Sequence, residues 1–395
     1  MERIGIYGGT FNPPHIGHIR AAQFAVQELK LDKLLVIPDR IAPHKQLPKD
    51  SPTPEQRLEM LRIATAGIEK IEVSDLELKR EGPSYSYLTV EQVRQMYPDA
   101  KIFLLMGTDM FLSFRTWRNP QRITKEAALA VFYRGEKGEV EAINARKAEM
   151  DCEVELIENP VIDISSTQLR RLLVFGCADP FLPEGVGDYI RDHGFYGTDE
   201  NYKNLPADQL EDVVVSLLNP NRVKHVLGCR DTAAKLAKIW GADETDALRA
   251  GLLHDITKAL DGPLQLTLCA AYGTILDKFG TDHPKTLHAL TGSLVAERIF
   301  GENDAVISAI RSHTTGKAGM NTLEKIIYVA DYMEPNRDFP GVEKLRHLAQ
   351  TDLDAAMELG LQMTMEHLAR QGSTVSPESL EAIQYFREKI SLCGS

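Results

Sequence analysis

The chain reads as an α/β doubly wound parallel sheet followed by an all-α domain. Three observations predict this: short apolar runs alternate with amphipathic stretches in the first half, a glycine turn feeds a helix directly after the first apolar run, and strand-like alternation stops after Gly194-Phe195-Tyr196-Gly197. The candidate strands are Arg3–Tyr7, Lys33–Pro38, Ile71–Ser74, Lys101–Met106, Ala128–Tyr133 and Glu153–Ile157. Between several of them lie the helical patterns Ile16–Leu29, Glu55–Ala64 and Thr89–Met96, which implies parallel βαβ units with right-handed crossovers. The polar run Thr198-Asp199-Glu200-Asn201 reads as a linker between domains expected at 1–198 and 203–395. Beyond it, Leu287, Leu290, Leu294 and Ile299 form one helical face, and Leu323, Ile327 and Ala330 another. Asn219-Pro220, Gly262-Pro263 and Pro340-Gly341 punctuate these helices. There is no internal repeat and no low-complexity tract.

Composition bounds the function. With 395 residues, 43% hydrophobic and 26% charged, the chain is long enough for about two domains. A formal net charge of −12 argues against a general nucleic-acid binder, whose footprint is a basic patch, and is compatible with a local basic pocket for a nucleotide. The five cysteines are scattered with no CxxC pair, which points to a reducing compartment and not to a disulfide framework. The N-terminus has no signal-peptide core, and charges interrupt every candidate span, so a cytoplasmic protein without membrane partners is expected.

The densest motif is Gly8-Gly9-Thr10-Phe11-Asn12-Pro13-Pro14-His15-Ile16-Gly17-His18. Glycines let a phosphate approach the backbone, and a helix start supplies free N–H groups and positive partial charge. His15 and His18, three residues apart, share one face of the first helical turn. In a doubly wound sheet this turn lies at the carboxyl ends of the strands, where ligands bind. Three further segments carry chemistry. Gly107-Thr108-Asp109 ends a strand and is followed by Trp117, a flat surface for a flat ring. Ile164-Ser165-Ser166-Thr167-Gln168-Leu169-Arg170 joins helix-capping hydroxyls to a guanidinium, a pattern that serves either as a plain cap or as an anion site. Pro43-His44-Lys45 follows the second strand.

Together these motifs resemble the nucleotidyltransferase family, and within it the bacterial nicotinate-nucleotide adenylyltransferases, whose fold is Rossmann-like. The resemblance implies transfer of adenylyl from ATP, accompanied by Mg²⁺, to nicotinate mononucleotide. It implies substrate contacts by Gly8, Gly9, Thr10, Phe11, Lys45, Tyr85, Ser86, Gly107, Asp109, Trp117, Ser165, Ser166 and Thr167. His18 would stabilise the α-phosphoryl transition state, His15 the phosphate chain and Arg170 the leaving pyrophosphate. Family members show Ser-Tyr-Thr and then an acidic residue where this chain has Ser84-Tyr85-Ser86-Tyr87-Leu88-Thr89. Leu88 lacks the carboxylate, which leaves the choice between acid and amide open.

The second half carries His225, then His254-Asp255 inside an apolar segment expected to be helical over Ala247–Leu260, then His288, His313 and Asp331. Asp331 lies at helical spacing from Leu323 and Ile327, which places a carboxylate on an apolar face; it must be paired, protonated or metal-bound. Imidazole and carboxylate donors suit Fe, Mn, Co or Zn, and six such residues suit two ions better than one. His283 precedes Pro284 in an expected loop, so His288 is preferred as the ligand. The order His…His-Asp…His…His…Asp is similar to the HD superfamily of metal phosphohydrolases. The blocks Asn221-Arg222-Val223-Lys224-His225-Val226-Leu227-Gly228, Gly251-Leu252-Leu253-His254-Asp255-Ile256-Thr257-Lys258, Ser312-His313-Thr314-Thr315-Gly316 and Ile327-Tyr328-Val329-Ala330-Asp331-Tyr332-Met333-Glu334-Pro335 resemble those of the bacterial HD-domain symmetrical diadenosine tetraphosphate hydrolases. That resemblance implies two transition-metal ions, iron first among the candidates, with Asp255 both ligand and catalytic. It implies hydrolysis of diadenosine tetraphosphate to two ADP, and Lys258 and Arg337 are candidates to neutralise phosphate. A general nucleotide phosphohydrolase and a nucleotide-sensing module remain as alternatives, and homo-oligomer formation is left open.

Overall fold

The structure, a computed structural model, describes residues 1–43, 46–48, 50–150, 152–158 and 164–393. It divides into two compact units, Met1–Glu200 and Asn201–Ser395.

The first unit alternates strand and helix as the sequence predicts. The order is β1 (Arg3–Gly9), α1 (Ile16–Glu28), β2 (Lys33–Pro38), α2 (Pro54–Thr65), β3 (Ile71–Val73), α3 (Ser86–Met96) and β4 (Lys101–Gly107). It continues through α4 (Thr108–Leu112), α5 (Pro120–Glu126), β5 (Ala128–Tyr133), α6 (Glu139–Ala148), β6 (Val154–Glu158), α7 (Ser166–Val174) and α8 (Val186–Asp192). The sheet runs β3-β2-β1-β4-β5-β6, and every pairing is parallel. Ile6 aligns with Leu35 on one side and Leu104 on the other, so β1 is central. Apolar side chains on both faces bury β1, β2, β4 and β5 in two cores, one around Ile6, Leu104 and Leu129, the other around Leu34, Phe103 and Ala130. The strand order reverses between β1 and β4, and a crevice opens at their carboxyl ends. β1 runs two residues beyond the expected Tyr7, because Gly8 and Gly9 still pair with Ile37 and Pro38. α3 starts at Ser86, three residues before the expected Thr89.

In the second unit every described regular element is a helix: α9 (Ala207–Leu217), α10 (Pro220–Trp240), α11 (Glu244–Leu253), α12 (Gly262–Ala271), α13 (Lys278–Asp282), α14 (His288–Val295), α15 (Asp304–Ser312), α16 (Thr322–Met333), α17 (Val342–Thr351), α18 (Leu353–Arg370) and α19 (Pro377–Cys393). Two sequence expectations are corrected here. The segment Ala247–Leu260 is not one helix: α11 ends at Leu253. His254 and Asp255 stand in a tight turn whose N–H groups reach back three residues, Ile256 to Leu253, Lys258 to Asp255 and Leu260 to Thr257. The core face of α14 is also rotated from the expected one. Leu290 and Leu294 are only half-buried, whereas His288, Thr291, Gly292 and Val295 are buried, since the Thr291 hydroxyl meets Thr257 and Gln265 on the inner side. α16 is buried from Leu323 through Ala330. No helix of the described residues is long and apolar enough to cross a membrane.

Candidate functional sites

A cavity of about 1070 Å³ opens over the carboxyl ends of β1, β4 and β5. β1 delivers Gly8 and Gly9 to its floor, and the turn Thr10–Pro14 leads to His15, which caps α1. A Cβ on Gly8 would meet nothing within 4 Å, so its backbone faces open space. A Cβ on Gly9 would lie 3.0 Å from the ring of Phe11, whose own φ is +48°. The backbone N–H of His15 donates to His18 Nδ1 at 3.2 Å, and the two rings stack with centroids 3.6 Å apart. With Nδ1 accepting, a neutral His18 carries its proton on Nε2. Burial pushes the His15 imidazole down to about 4, so it is neutral near pH 7, and its buried Nδ1 makes no hydrogen bond among the described residues.

The turn is held by residues that sequence reasoning did not single out. Arg57, buried on α2, donates to the Thr10 carbonyl at 2.5 Å and to Asp39 Oδ1 at 3.0 Å, while the Thr10 hydroxyl donates to Asp39 Oδ2 at 2.7 Å. Asn12 accepts from the Tyr196 hydroxyl at 2.6 Å through Oδ1 and from Arg170 at 2.7 Å through its carbonyl. A lone arginine in an amphipathic helix and a tyrosine almost two hundred residues away leave no mark in sequence spacing.

The cavity brings together Gly8, Gly9, Thr10, Phe11, His15, His18, Tyr85, Ser86, Gly107, Asp109, Trp117, Ser165 and Ser166. Thr167 and Arg170 stand outside its lining: Arg170 spans the Asn12 carbonyl and the Thr167 hydroxyl. Ser165 caps α7 by accepting from the Gln168 N–H at 3.2 Å, and the Ser166 hydroxyl donates to the Pro13 carbonyl at 3.0 Å. Lys45 lies outside the described residues.

In the second unit α10 supplies His225, the turn after α11 supplies His254 and Asp255, and α14 opens with His288. His313 follows α15, and α16 supplies Asp331. Two groups form, His225/His254/Asp331 and Asp255/His288/His313, each with its donor atoms within 4.8 Å of one another. Asp255 faces both. Its Oδ2 lies 3.7 and 3.6 Å from the Nε2 atoms of His225 and His254, and its Oδ1 lies 3.6 and 3.9 Å from those of His288 and His313. Three rings are oriented through Nδ1: His225 meets Glu334 Oε1 at 3.2 Å, His254 the Gly251 carbonyl at 2.8 Å and His313 the Ile310 carbonyl at 2.6 Å. An acceptor at Nδ1 places the proton there and turns the Nε2 lone pair toward the cluster, as a metal ligand requires. Burial and the neighbouring His254 push the His313 imidazole down to about 4, which keeps it neutral. Burial alone would raise both carboxyls. Nearby His254, His288 and Arg222 instead hold Asp255 low, and the His225 hydrogen bond with the surrounding imidazoles holds Asp331 well below its ordinary value. Buried, deprotonated carboxylates beside imidazole nitrogens, in two groups of three donors each, fit a dimetal centre.

Cations surround the cluster. Arg222 donates to Asp255, Arg337 donates to Asp331 Oδ1 at 2.9 Å, and Lys258 Nζ lies 3.0 Å from His288 Nε2. Burial pushes the Lys258 ammonium down. Sequence spacing gives no sign of Arg222 or Glu334, because their roles depend on which ligand each one faces, Asp255 and His225 respectively. His283 joins neither group and stacks on Phe279 at 4.3 Å between centroids.

Fold and sites define a nucleotidyltransferase-type α/β domain joined to a helical HD domain. The cytidylyltransferase-like family model matches residues 6–172, and the HD domain model matches residues 222–336. A probable nicotinate-nucleotide adenylyltransferase of Dictyoglomus turgidum is 33% identical over 204 residues, covering 51% of this chain and 99% of its own length. A probable nicotinate-nucleotide adenylyltransferase/Ap4A hydrolase of Mycoplasma pneumoniae is 29% identical over 371 residues, 90% of this chain and 97% of its own. Among solved structures, one titled a "predicted HD superfamily hydrolase involved in NAD metabolism" from Clostridium acetobutylicum is 36% identical, with a TM-score of 0.46, covering 47% of this chain and 98% of that one. The chain belongs to the nicotinate-nucleotide adenylyltransferase family and carries an HD domain in its second half.

Proposed function

We propose that the chain is a bifunctional enzyme: its first unit transfers adenylyl from ATP to nicotinate mononucleotide, and its second hydrolyses diadenosine tetraphosphate to two ADP. In the first reaction the mononucleotide phosphate oxygen attacks the α-phosphorus of ATP, which enters with Mg²⁺. A new phosphorus–oxygen bond forms as the bond to the β-phosphate breaks and pyrophosphate leaves. Such a transfer needs alignment and charge stabilisation more than proton movement. His18 Nε2–H donates to the α-phosphoryl oxygens, and neutral His15 donates to the phosphate chain beside the open backbone of Gly8. Arg170, fixed between Asn12 and Thr167, holds the turn in place and adds positive charge behind the leaving pyrophosphate. Trp117 offers the nicotinate ring a stacking face. The observation that supports this reading is the stacked His15–His18 pair at a glycine turn that opens on the cavity.

In the second unit His225, His254 and Asp331 would hold one ion and Asp255, His288 and His313 another, with one Asp255 oxygen toward each. Bound Fe, Mn, Co or Zn supplies Lewis acidity and acidifies water near neutral pH. Glu334 keeps the His225 proton on Nδ1, and Arg222, Lys258 and Arg337 supply charge for a polyphosphate. Incubation of the purified chain with ATP and nicotinate mononucleotide, and separately with diadenosine tetraphosphate and each metal, tests both halves by product chromatography. Deamido-NAD with pyrophosphate, and ADP as sole hydrolysis product, are expected. AMP with ATP would overturn the symmetrical cleavage.

A further inference from the structure

The turn after Trp117 carries a cation that has no carboxylate partner among the described residues. Arg118 lines the cavity next to Trp117, while its neighbours Arg115 and Arg122 are tied to Glu149 and Glu91. Among the described residues no carboxylate pairs with Arg118. Its guanidinium lies over the Tyr85 ring, 4.7 Å from the centroid, and Nη1 donates to the Tyr85 hydroxyl at 3.1 Å. Tyr85 is also the residue that caps α3, whose first residue Ser86 lines the same cavity. The first N–H groups of a helix have no intrahelical acceptor, and the first turn of α3 contains no acidic residue. Leu88, the departure from the family pattern, packs against the β-sheet core and so brings no charge to this wall. The nearby cavity carboxyl, Glu77, is held by its own partner, the Thr89 hydroxyl at 2.5 Å. A fixed guanidinium and a helix start thus flank one tyrosine ring beside the stacking indole. A planar guanidinium matches a carboxylate through two parallel hydrogen bonds, whereas a carboxamide presents one oxygen and two donors of its own.

We propose that Arg118 is a specificity-determining residue of the adenylyl-transfer site. Its guanidinium selects an aromatic carboxylate, that of nicotinate mononucleotide, over the neutral carboxamide of nicotinamide mononucleotide. The assignment rests on the acceptor proposed above.

The test compares kcat/KM for the two mononucleotides in the full-length wild type, Arg118→Gln and Arg118→Lys. Loss of one charged hydrogen-bond pair should lower the acid-to-amide ratio by about tenfold to a hundredfold in Arg118→Gln, mainly through KM for the acid. Arg118→Lys keeps the charge without the fork and should retain an intermediate ratio. An unchanged ratio in Arg118→Gln while the wild type prefers the acid would overturn the Arg118 assignment alone, whereas a wild-type preference for the amide would overturn the acceptor reading as well. Transfer by the wild type to neither mononucleotide would overturn the acceptor reading, and the assignment with it.

Discussion

His15 and His18 sit three residues apart, yet their surroundings separate them. His15 is buried at the cap of α1, and burial holds its imidazole at about 4. The unfolded chain takes up that proton near the ordinary value of about 6.5, so between these two values the unfolded state binds more protons than the folded state. Stability is therefore complete above about pH 6.5 and falls as the pH drops toward 4, by up to roughly 3 kcal/mol from this one group. Urea unfolding of the first unit between these pH values, in wild type and His15→Asn, should show a flatter pH slope in the variant. An identical slope would show that His15 is protonated in the folded state. The motif histidines were legible in the sequence because they lie within eleven residues. Arg57, Asp39 and Tyr196, which hold the same turn, were not, because contacts to Thr10 and Asn12 across dozens of residues have no periodic signature.

Helix contacts decide where the second site's ligands stand. α10 carries His225, and α11 ends next to His254 and Asp255, so the fit of these two helices sets the spacing of three ligands. Gly251 makes that fit: a Cβ there would lie 2.7 Å from the Cα of Arg230, a backbone atom that cannot swing aside. Gly251→Ala should force the helices apart, destabilise the second unit by about 1–3 kcal/mol and reduce metal retained after dialysis. Thermal unfolding and elemental analysis check this, and wild-type values in both would sink it. The end of α11 also shows where periodicity misled. Ala247, Ala250, Leu253, Ile256 and Leu260 are apolar and all buried, which reads as one helix. The chain instead tightens after Leu253 and brings both His254 and Asp255 into one cluster, Asp255 Oδ2 lying 3.6 Å from His254 Nε2.

Across the whole molecule the two candidate sites fall in different compact units, built from different kinds of element. His18→Ala should lower adenylyl transfer by about a hundredfold, the scale of losing one transition-state donor, and leave diadenosine tetraphosphate hydrolysis intact. Asp255→Ala should do the reverse, abolishing hydrolysis and lowering bound metal, since it removes a carboxylate that faces both triads. Assays of both activities on both variants check this, and a crossed loss in either would show that the sites are linked. The sequence by itself determined the sheet and the switch to helices, and it named most of the side chains that the two candidate sites gather. Those follow from local periodicity and from motifs a few residues long, both of which are one-dimensional properties. Only the tertiary structure decided the end of α11, the inward face of α14, the anchoring of Arg170 between Asn12 and Thr167 and the two-sided placement of Asp255. Each of these depends on hydrogen bonds and steric fits between distant segments, which exist only once the chain has folded.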